Sequence, residues 1–198
     1  MFPSIYFGGL FPYLTYIRRE TREPLRGPLT DYHDRRIIAS YSLGYDTSKC
    51  AEVLGRRDVA GCRLHFDAAF AESSSREANL PIKVMDYVGE NFSIYRTFHT
   101  FNHPANGVMW HVVSQFLALI GVPMIVDRPP VNQFLDGLSA AIPPEMEDAV
   151  GLRFIDDEYR LSGKAVSHSA LIEDFYRSYD QITDFPALCR YNSIMSPA

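Results

Sequence analysis

Hydrophobic residues recur at helical spacing in two long segments of the chain. In the first, offsets of 3, 4, 7, 8 and 11 positions are typical of one buried helix face, formed by Met109, Val112, Val113, Phe116, Leu117 and Ile120. Pro104 occupies the position of a first helical residue, and Gly121 with Pro123 ends this helix. The second stripe predicts a last helix, capped by Ser167 or Ser169, whose inward side chains are Leu171, Ile172, Phe175 and Tyr179.

Three shorter helices are predicted in the first half of the chain. Thr30 or Asp31 caps the first, and Gly44 ends it after an apolar stripe at Ile37, Ile38 and Tyr41. The second spans residues 46–54, with an aspartate as its cap and a glycine after its end. The third spans residues 58 to about 79.

Extended structure is predicted only in short pieces. The apolar residues 3–7 predict a strand, and residues 95–101 and 151–161 allow extended segments. The residues after the last helix predict a tail. The sequence therefore predicts a mainly α fold with a few short strands, the remnant of an α/β arrangement, in one single compact domain that spans residues 1–198.

Composition and charge exclude several functional classes. The net charge of −5 argues against a nucleic-acid partner, because phosphate neutralisation requires clustered basic residues. Three unpatterned cysteines predict neither a disulfide framework nor a metal site. No segment approaches the run of about 18 apolar residues that spans a membrane, and the N-terminus does not resemble a signal peptide. A cytoplasmic location is the resulting expectation.

Basic residues concentrate in one stretch before and inside the first predicted helix. This stretch contains Arg18, Arg19, Arg22, Arg26, Arg35 and Arg36. For any one of these arginines, a solvated loop face is the simpler interpretation. Together, they also suit a cradle for a small anionic ligand, because guanidinium groups bind phosphate with two donors.

Two histidines lie where a helix is predicted to start. His33 follows Asp31 and Tyr32 and precedes Asp34, and these acidic neighbours could orient its ring. Its spacing from Ile37 directs the side chain toward the buried side of the helix. The residue-level choice stays open between a catalytic histidine and a histidine with a structural role.

The second histidine lies in the segment Thr100–Pro104. Asn102 and His103 flank the predicted start of the strongest helix, where backbone N–H groups and a positive potential favour a neutral histidine and an anionic ligand. The simpler alternative is that Asn102 only caps the helix. Arg96 lies six residues before Asn102 and could reach the same site.

Several of these segments together resemble the capsular-polysaccharide biosynthesis acetyltransferase family typified by WcbI. The matching segments occur in the family's order and approximate spacing, over residues 2 to about 180: residues 2–12, Gly27-Pro28, Asp31-Tyr32-His33, Ser42-Leu43-Gly44 and Thr100–Pro104. Each segment is weakly specific alone, and the ordered set is moderately specific.

This resemblance implies a largely helical fold and an O-acetyltransferase that uses acetyl-coenzyme A to modify a sugar hydroxyl in capsule or surface-polysaccharide synthesis. It implies that His33 and His103 are catalytic, that Asp31, Tyr32 and Asn102 support them, and that no metal is needed. Coenzyme A binding is assigned to Arg18, Arg35, Arg96 and Thr100.

Two departures from the family pattern leave an alternative open. Relatives carry a Gly-Asn-Cys-Gln turn that would precede Met1, so the chain is expected to be incomplete at its N-terminus. Phe11 and Tyr13 stand where relatives have His and Asp around Pro12. The alternative is a truncated, non-catalytic relative that binds a ligand or a partner, either a second copy or a complementing chain.

Overall fold

The computed structural model describes residues 3–123 and 134–192 of the chain. Its helices are α1 Arg35–Ser42, α2 Thr47–Leu54, α3 Val59–Glu77, α4 Met85–Asn91, α5 Asn106–Leu119, α6 Glu145–Val150, α7 His168–Asp180 and α8 Phe185–Tyr191. Its strands are β1 Leu14–Tyr16, β2 Tyr32–Asp34, β3 Phe98–Thr100, β4 His103–Pro104, β5 Leu138–Ser139, β6 Tyr159–Leu161 and β7 Lys164–Val166. The prediction of a mainly helical fold with a few short strands is confirmed.

The chain divides into two compact units. Unit 1 contains Met1–Pro12 and Asp58–Lys164, and unit 2 contains Tyr13–Arg57 and Ala165–Ala198. Each unit therefore combines segments that are distant in sequence. That residues 1–198 form a single domain stays a prediction.

Unit 2 combines a two-stranded antiparallel ribbon with four helices. Strand β1 pairs with β2 so that Leu14 lies opposite Asp34. Helices α2, α7 and α8 contact α1 or one another around a fully buried core that includes Ile37, Phe175 and Tyr179. The predicted cap of α1 at Thr30 or Asp31 is wrong, because β2 occupies residues 32–34 and delays the helix. The Asp34 side chain instead accepts a hydrogen bond from the Arg36 N–H.

The last two helices of unit 2 differ in how well the sequence predicts them. For α7, the prediction is confirmed in full, because Ser167 caps the helix and all four predicted inward residues are buried. The predicted tail contains α8, which Asp184 caps and which buries Phe185 and Cys189. Its seven residues are too few to show a helical stripe of their own, which explains why it was missed.

Unit 1 is organised around α3, which contacts α4 and α6. Strands β3 and β4 form an antiparallel hairpin, and β5 pairs with β6 in an antiparallel arrangement. Strand β3 also contacts β5, and the Ala140 N–H donates to the His99 carbonyl. The fully buried Phe7 ring meets the edges of Phe66 and Phe70 on α3. The small sheets thereby fix the β3–β4 hairpin against the helical core.

Two predictions for unit 1 are wrong. Residues 3–7 form no strand, although the Phe7 N–H donates to the Phe101 carbonyl. Helix α5 begins at Asn106 rather than at Pro104, and its predicted inward residues Met109 and Val113 are 37% and 42% exposed. Helix α5 contacts α4 and β4 and buries Val108 and Val112, so part of its apolar face stays exposed.

Candidate functional site

The β3–β4 hairpin carries three of the predicted site residues. Thr100 pairs with His103, and Asn102 lies at the exposed turn between them. The Thr100 hydroxyl donates a hydrogen bond of 3.0 Å to Asn102 Oδ1. Because Oδ1 accepts this bond, the amide N–H groups of Asn102 point to the other side of the side chain.

The predicted location of Asn102 and His103 at a helix start is wrong. Helix α5 has Ala105 as its N-cap, in an extended conformation and without a side-chain cap. The Ala105 N–H donates to the Thr97 carbonyl, which continues the hairpin pairing beyond β4. Asn102 therefore does not cap the helix, and His103 owes its position to strand pairing.

The environment of His103 keeps its imidazole neutral near pH 7. The residue is half-buried, and desolvation lowers its pKa below the ordinary value of 6.5. A hydrogen bond to the Leu138 carbonyl opposes this shift. Since a carbonyl only accepts, one ring N–H is donated to Leu138, and the neutral ring carries its lone pair on the other nitrogen.

A second histidine of the hairpin contacts β5. His99 is buried, and its Nδ1 lies 3.1 Å from Ser139 Oγ. The two residues are 40 positions apart, so no local sequence pattern links them. Ser139 was therefore missed by sequence reasoning. Together with the Leu138 contact of His103, this bond holds both hairpin histidines against one strand.

Arg96 braces the base of the hairpin. Its Nε lies 2.5 Å from Asp156 Oδ2, and Nη2 donates to the Asp156 carbonyl. Nη1 donates to three further carbonyls, those of Phe98, His99 and Ala140. The side chain is only 9% exposed. The assignment of Arg96 to coenzyme A stays a prediction, and in the structure its guanidinium binds protein acceptors.

A glycine turn adjoins the hairpin. The Phe11 N–H donates to the Gly8 carbonyl, and the Phe7 N–H bonds the Phe101 carbonyl inside the hairpin turn. His65 of α3 donates from Nε2 to the same Gly8 carbonyl, at 2.9 Å. His65 thus positions the backbone of the glycine turn.

In unit 2, His33 lies inside the core. Its Nε2 donates to the Leu25 carbonyl at 2.9 Å, which fixes the tautomer, and its Nδ1 therefore accepts from the Tyr179 hydroxyl at 3.0 Å. The ring is fully buried and lies beside Phe175. Desolvation is the largest effect on its pKa and lowers it to about 4, against opposing effects of the Leu25 bond and of Asp31. Both nitrogens are engaged within the protein.

The other predicted residues of unit 2 occupy varied positions. Tyr32 is buried and stacks on Tyr16, whereas Asp31 lies 3.5 Å from the Arg26 guanidinium. Arg18 and Arg35 are exposed. The structure thus brings Thr100, Asn102, His103 and Arg96 onto or beside one hairpin of unit 1, and it places the remaining candidates in unit 2.

All three cysteines are buried free thiols, namely Cys50, Cys62 and Cys189. Desolvation raises the pKa of Cys50 and raises that of Cys189 to about 11. At neutral pH, these two thiols are therefore protonated and weakly nucleophilic.

The described residues contain neither a metal-binding cluster nor a membrane-spanning helix. In residues 3–123 and 134–192, no group of three or more His, Cys, Asp or Glu side chains is arranged to hold a metal ion. None of the helices in the same ranges combines the length and apolar character that a membrane span requires.

Comparisons with known proteins show the fold and the family of this chain. One solved structure, described as WcbI, a novel polysaccharide biosynthesis enzyme, aligns with a TM-score of 0.65 at 17% identity, covering 98% of this chain and 70% of the other. Its description refers to native protein without a disulfide bond between coenzyme A and a cysteine of that protein. At this identity the alignment shows a shared fold. No curated protein matches the chain. The family described as polysaccharide biosynthesis enzyme WcbI matches residues 1–124, so this chain belongs to the WcbI family of polysaccharide biosynthesis enzymes.

Proposed function

We propose that this chain is a coenzyme A-dependent O-acetyltransferase that acts on a sugar hydroxyl of a capsular or surface polysaccharide, with His103 as its general base. The observation that carries the proposal is the half-buried imidazole of His103, which is kept neutral by desolvation and oriented by the Leu138 carbonyl. Coenzyme A is proposed because the similar WcbI structure is described with it. Acetyl-coenzyme A would supply an activated acyl thioester.

The donor set of the hairpin fits acyl transfer. His103 takes the proton of the acceptor hydroxyl as that oxygen attacks the acyl carbon, and it returns the proton to the leaving sulfur when the C–S bond breaks. General-base catalysis of this kind contributes about 10²–10⁴-fold to the rate. The neutral form of His103 is required in the first step, which matches its lowered pKa.

Asn102 is proposed to stabilise the negative charge that develops on the acyl oxygen. Its Oδ1 accepts a hydrogen bond from the Thr100 hydroxyl, which orients the side-chain amide in the exposed turn. A preoriented amide donor stabilises an oxyanion more than mobile water does. Thr100 then acts as a positioning residue for Asn102.

Transfer directly from the thioester to the sugar is favoured over an acyl-cysteine intermediate on this chain. Cys50 and Cys189 have raised pKa values in buried surroundings, and Cys62 is also buried. A nucleophilic cysteine instead requires a lowered pKa and access to substrate. The direct route needs only the hairpin residues.

The exposed arginines Arg18 and Arg35 of unit 2 stay candidates for binding a phosphate-bearing ligand. Their exposed guanidinium groups can donate to phosphate oxygens. Arg96 receives a different role, because the five donor–acceptor contacts of its guanidinium are made with Asp156 and backbone carbonyls. We assign it to bracing the hairpin.

A second candidate function is binding without transfer. The burial of all three cysteines favours it, because relatives of this family are expected to use a reactive cysteine. In that case the chain binds coenzyme A or a glycan and transfers no acetyl group.

Calorimetry with coenzyme A and transfer assays with radiolabelled acetyl-coenzyme A test the proposal on the purified chain. Saturable coenzyme A binding is expected, weakened by the Arg18→Ala/Arg35→Ala double variant and unchanged in Arg76→Ala, a matched exposed arginine on α3. Acetyl transfer to polysaccharide acceptors is expected to fall in Asn102→Ala with little change in coenzyme A affinity. Binding without transfer to any acceptor supports the second candidate, and no binding at millimolar coenzyme A refutes both uses of this ligand.

A further inference from the structure

A groove of about 670 Å³ opens on unit 2, and the site candidates named above are not among its lining residues. It lies beside the end of α1, the start of α2, the middle of α7 and the start of α8. Its aromatic and acidic lining includes Tyr41, Tyr45, Asp46, Tyr176, Asp184 and Phe185. We call it the aromatic groove. Its volume falls in the range of small-molecule sites, about 300–1,000 Å³.

Internal contacts fix the aromatic rings of this groove. The Tyr41 ring meets Tyr176 edge-on at 5.1 Å and Phe185 at 5.3 Å. The Tyr41 hydroxyl donates to Asp180 at 2.8 Å, and the Tyr176 hydroxyl donates to the Tyr45 carbonyl at 3.0 Å. The rings are therefore positioned before any ligand arrives, which reduces the entropy lost on binding.

The polar lining of the groove is acidic. Asp46 and Asp184 line it, and none of the lysines and arginines in the described part of the chain does so. Each carboxylate uses Oδ1 to cap a helix, with the Lys49 N–H at 2.7 Å and the Ala187 N–H at 2.9 Å. The second oxygen of each carboxylate can accept hydrogen bonds from a ligand. Thr47 and Thr183 add hydroxyl groups to the lining.

This combination of rings and carboxylates selects among ligand classes. A phosphate-bearing ligand such as coenzyme A is disfavoured, because two carboxylates repel it. A purely apolar ligand would desolvate those carboxylates without bonding them. A sugar ring satisfies both features, since its C–H face packs on an aromatic ring while its hydroxyls donate to carboxylates in charge-assisted hydrogen bonds.

We propose that the aromatic groove binds a neutral saccharide segment of the polysaccharide acceptor. The choice of a glycan rests on the proposed function and on membership of a polysaccharide biosynthesis family. A cationic amine would also satisfy rings and carboxylates. Membership of the family favours the saccharide. The test therefore has to distinguish saccharide binding from amine binding.

The test is an NMR titration of the ¹⁵N-labelled full chain with maltotriose, mannotriose and chitotriose, and separately with spermidine. At least one trisaccharide is expected to shift resonances of groove residues in a saturable way. Tyr45→Ala and the double variant Asp46→Asn/Asp184→Asn are each expected to weaken this binding about tenfold, the equivalent of about 1.4 kcal/mol. Asparagine caps helices as well as aspartate does, so the double variant is expected to fold.

Matched controls separate the groove from general effects. Tyr45→Phe retains the ring face and is expected to bind like the natural chain, as is Tyr191→Ala, which removes an exposed tyrosine of α8 outside the groove. The proposal is overturned if no trisaccharide binds at tens of millimolar, if the shifts lie outside the groove, or if spermidine alone binds.

Coenzyme A binding by the same variants distinguishes this proposal from the proposed function. The groove variants are expected to keep coenzyme A affinity within about twofold. Trisaccharide binding at the groove in a chain that binds no coenzyme A would support the saccharide site while refuting the acetyltransferase.

Discussion

His33 and His103 are both histidines with a pKa lowered by burial, and both lie where the sequence predicts a helix start. Their surroundings differ in burial and in hydrogen bonding. His33 is fully buried, and both of its ring nitrogens bond protein groups. His103 is half-buried on a hairpin beside an exposed asparagine. A lowered pKa therefore accompanies a fully buried core histidine as readily as a half-buried histidine on a hairpin, and the pKa alone does not identify a site histidine.

The core around His33 also explains the glycine at position 27. A Cβ at Gly27 would meet Phe175 at 3.1 Å and the His33 ring at 3.2 Å. Both of these rings are fully buried and cannot move without disturbing their neighbours. The segment Gly27-Pro28 therefore closes over the histidine because residue 27 has no side chain.

The largest expected effect concerns the hairpin that carries His103. Arg96→Met removes one partner of a largely buried ion pair and is expected to lower the free energy of unfolding by about 4 kcal/mol, because Asp156 and three carbonyls lose their donor. Urea unfolding measures this loss. The control is Arg63→Met, which removes an exposed side chain of α3 and is expected to lower the free energy of unfolding by less than about 1 kcal/mol. Equal losses in the two variants would contradict the bracing role.

Removing the buried His33 is expected to lower the free energy of unfolding somewhat less than removing Arg96 does. His33→Ala leaves the Leu25 carbonyl and the Tyr179 hydroxyl without their partner and creates a cavity, for a loss of about 3 kcal/mol. The acetyl-transfer rate per folded molecule is expected to stay within about twofold of the natural chain. A stable variant with little activity would place His33 in the catalytic machinery instead.

The pH dependence of stability sharpens the same comparison. The folded-state pKa of His33 is about 4, below the ordinary 6.5, so the unfolded chain binds more protons between these values. Stability from this group is complete above about pH 6.5 and is lost as the pH falls toward 4, by about 3 kcal/mol in total. Denaturant unfolding of the natural chain and of His33→Gln at several pH values tests this. An identical acid dependence in both would assign the loss to other groups.

The smallest expected effect on the free energy of unfolding concerns Gly27, which packs against the His33 ring. Gly27→Ala is expected to lower the free energy of unfolding by about 1 kcal/mol, because its methyl group presses on two rings that cannot yield. Thermal unfolding measures it, and Gly137→Ala, whose added Cβ meets no atom within 4 Å, is the control. A Gly27→Ala variant that is more stable than the natural chain would show that a methyl group fits between residue 27 and the rings of Phe175 and His33.

Local signals predicted α2, α3 and α7 well, but they did not predict α4, α6 or α8. Asp46, Asp58 and Ser167 each cap the helix expected to follow them, and the stripe of α7 is buried as its spacing requires. Capping and helical periodicity act within a few residues, so they are visible in one sequence. For α5, the predicted start and the predicted burial of Met109 and Val113 are wrong. The spacing of apolar residues identifies a helix face, but it does not show which other element covers that face.

Long-range pairing could not be predicted in the same way. The segment Thr100–Pro104 was interpreted as a helix start, whereas it forms a hairpin fixed by Arg96, Leu138 and Ser139. Ser139 lies 40 positions from His99, and Asp156, which holds the Arg96 guanidinium, lies 60 positions from Arg96. The residue types at the candidate site were therefore predictable, and their surroundings were not.

The most direct measurement is the rate of acetyl transfer for His103→Gln and His33→Gln beside the natural chain, with the melting temperature of each. The account predicts that His103→Gln loses about 10²–10⁴-fold in kcat at an unchanged melting temperature. His33→Gln is expected to melt earlier and keep its rate per folded molecule. In the natural chain, kcat/KM is expected to fall only below about pH 6.5, as His103 becomes protonated. Full activity in His103→Gln, or loss of activity confined to His33→Gln, would contradict the account.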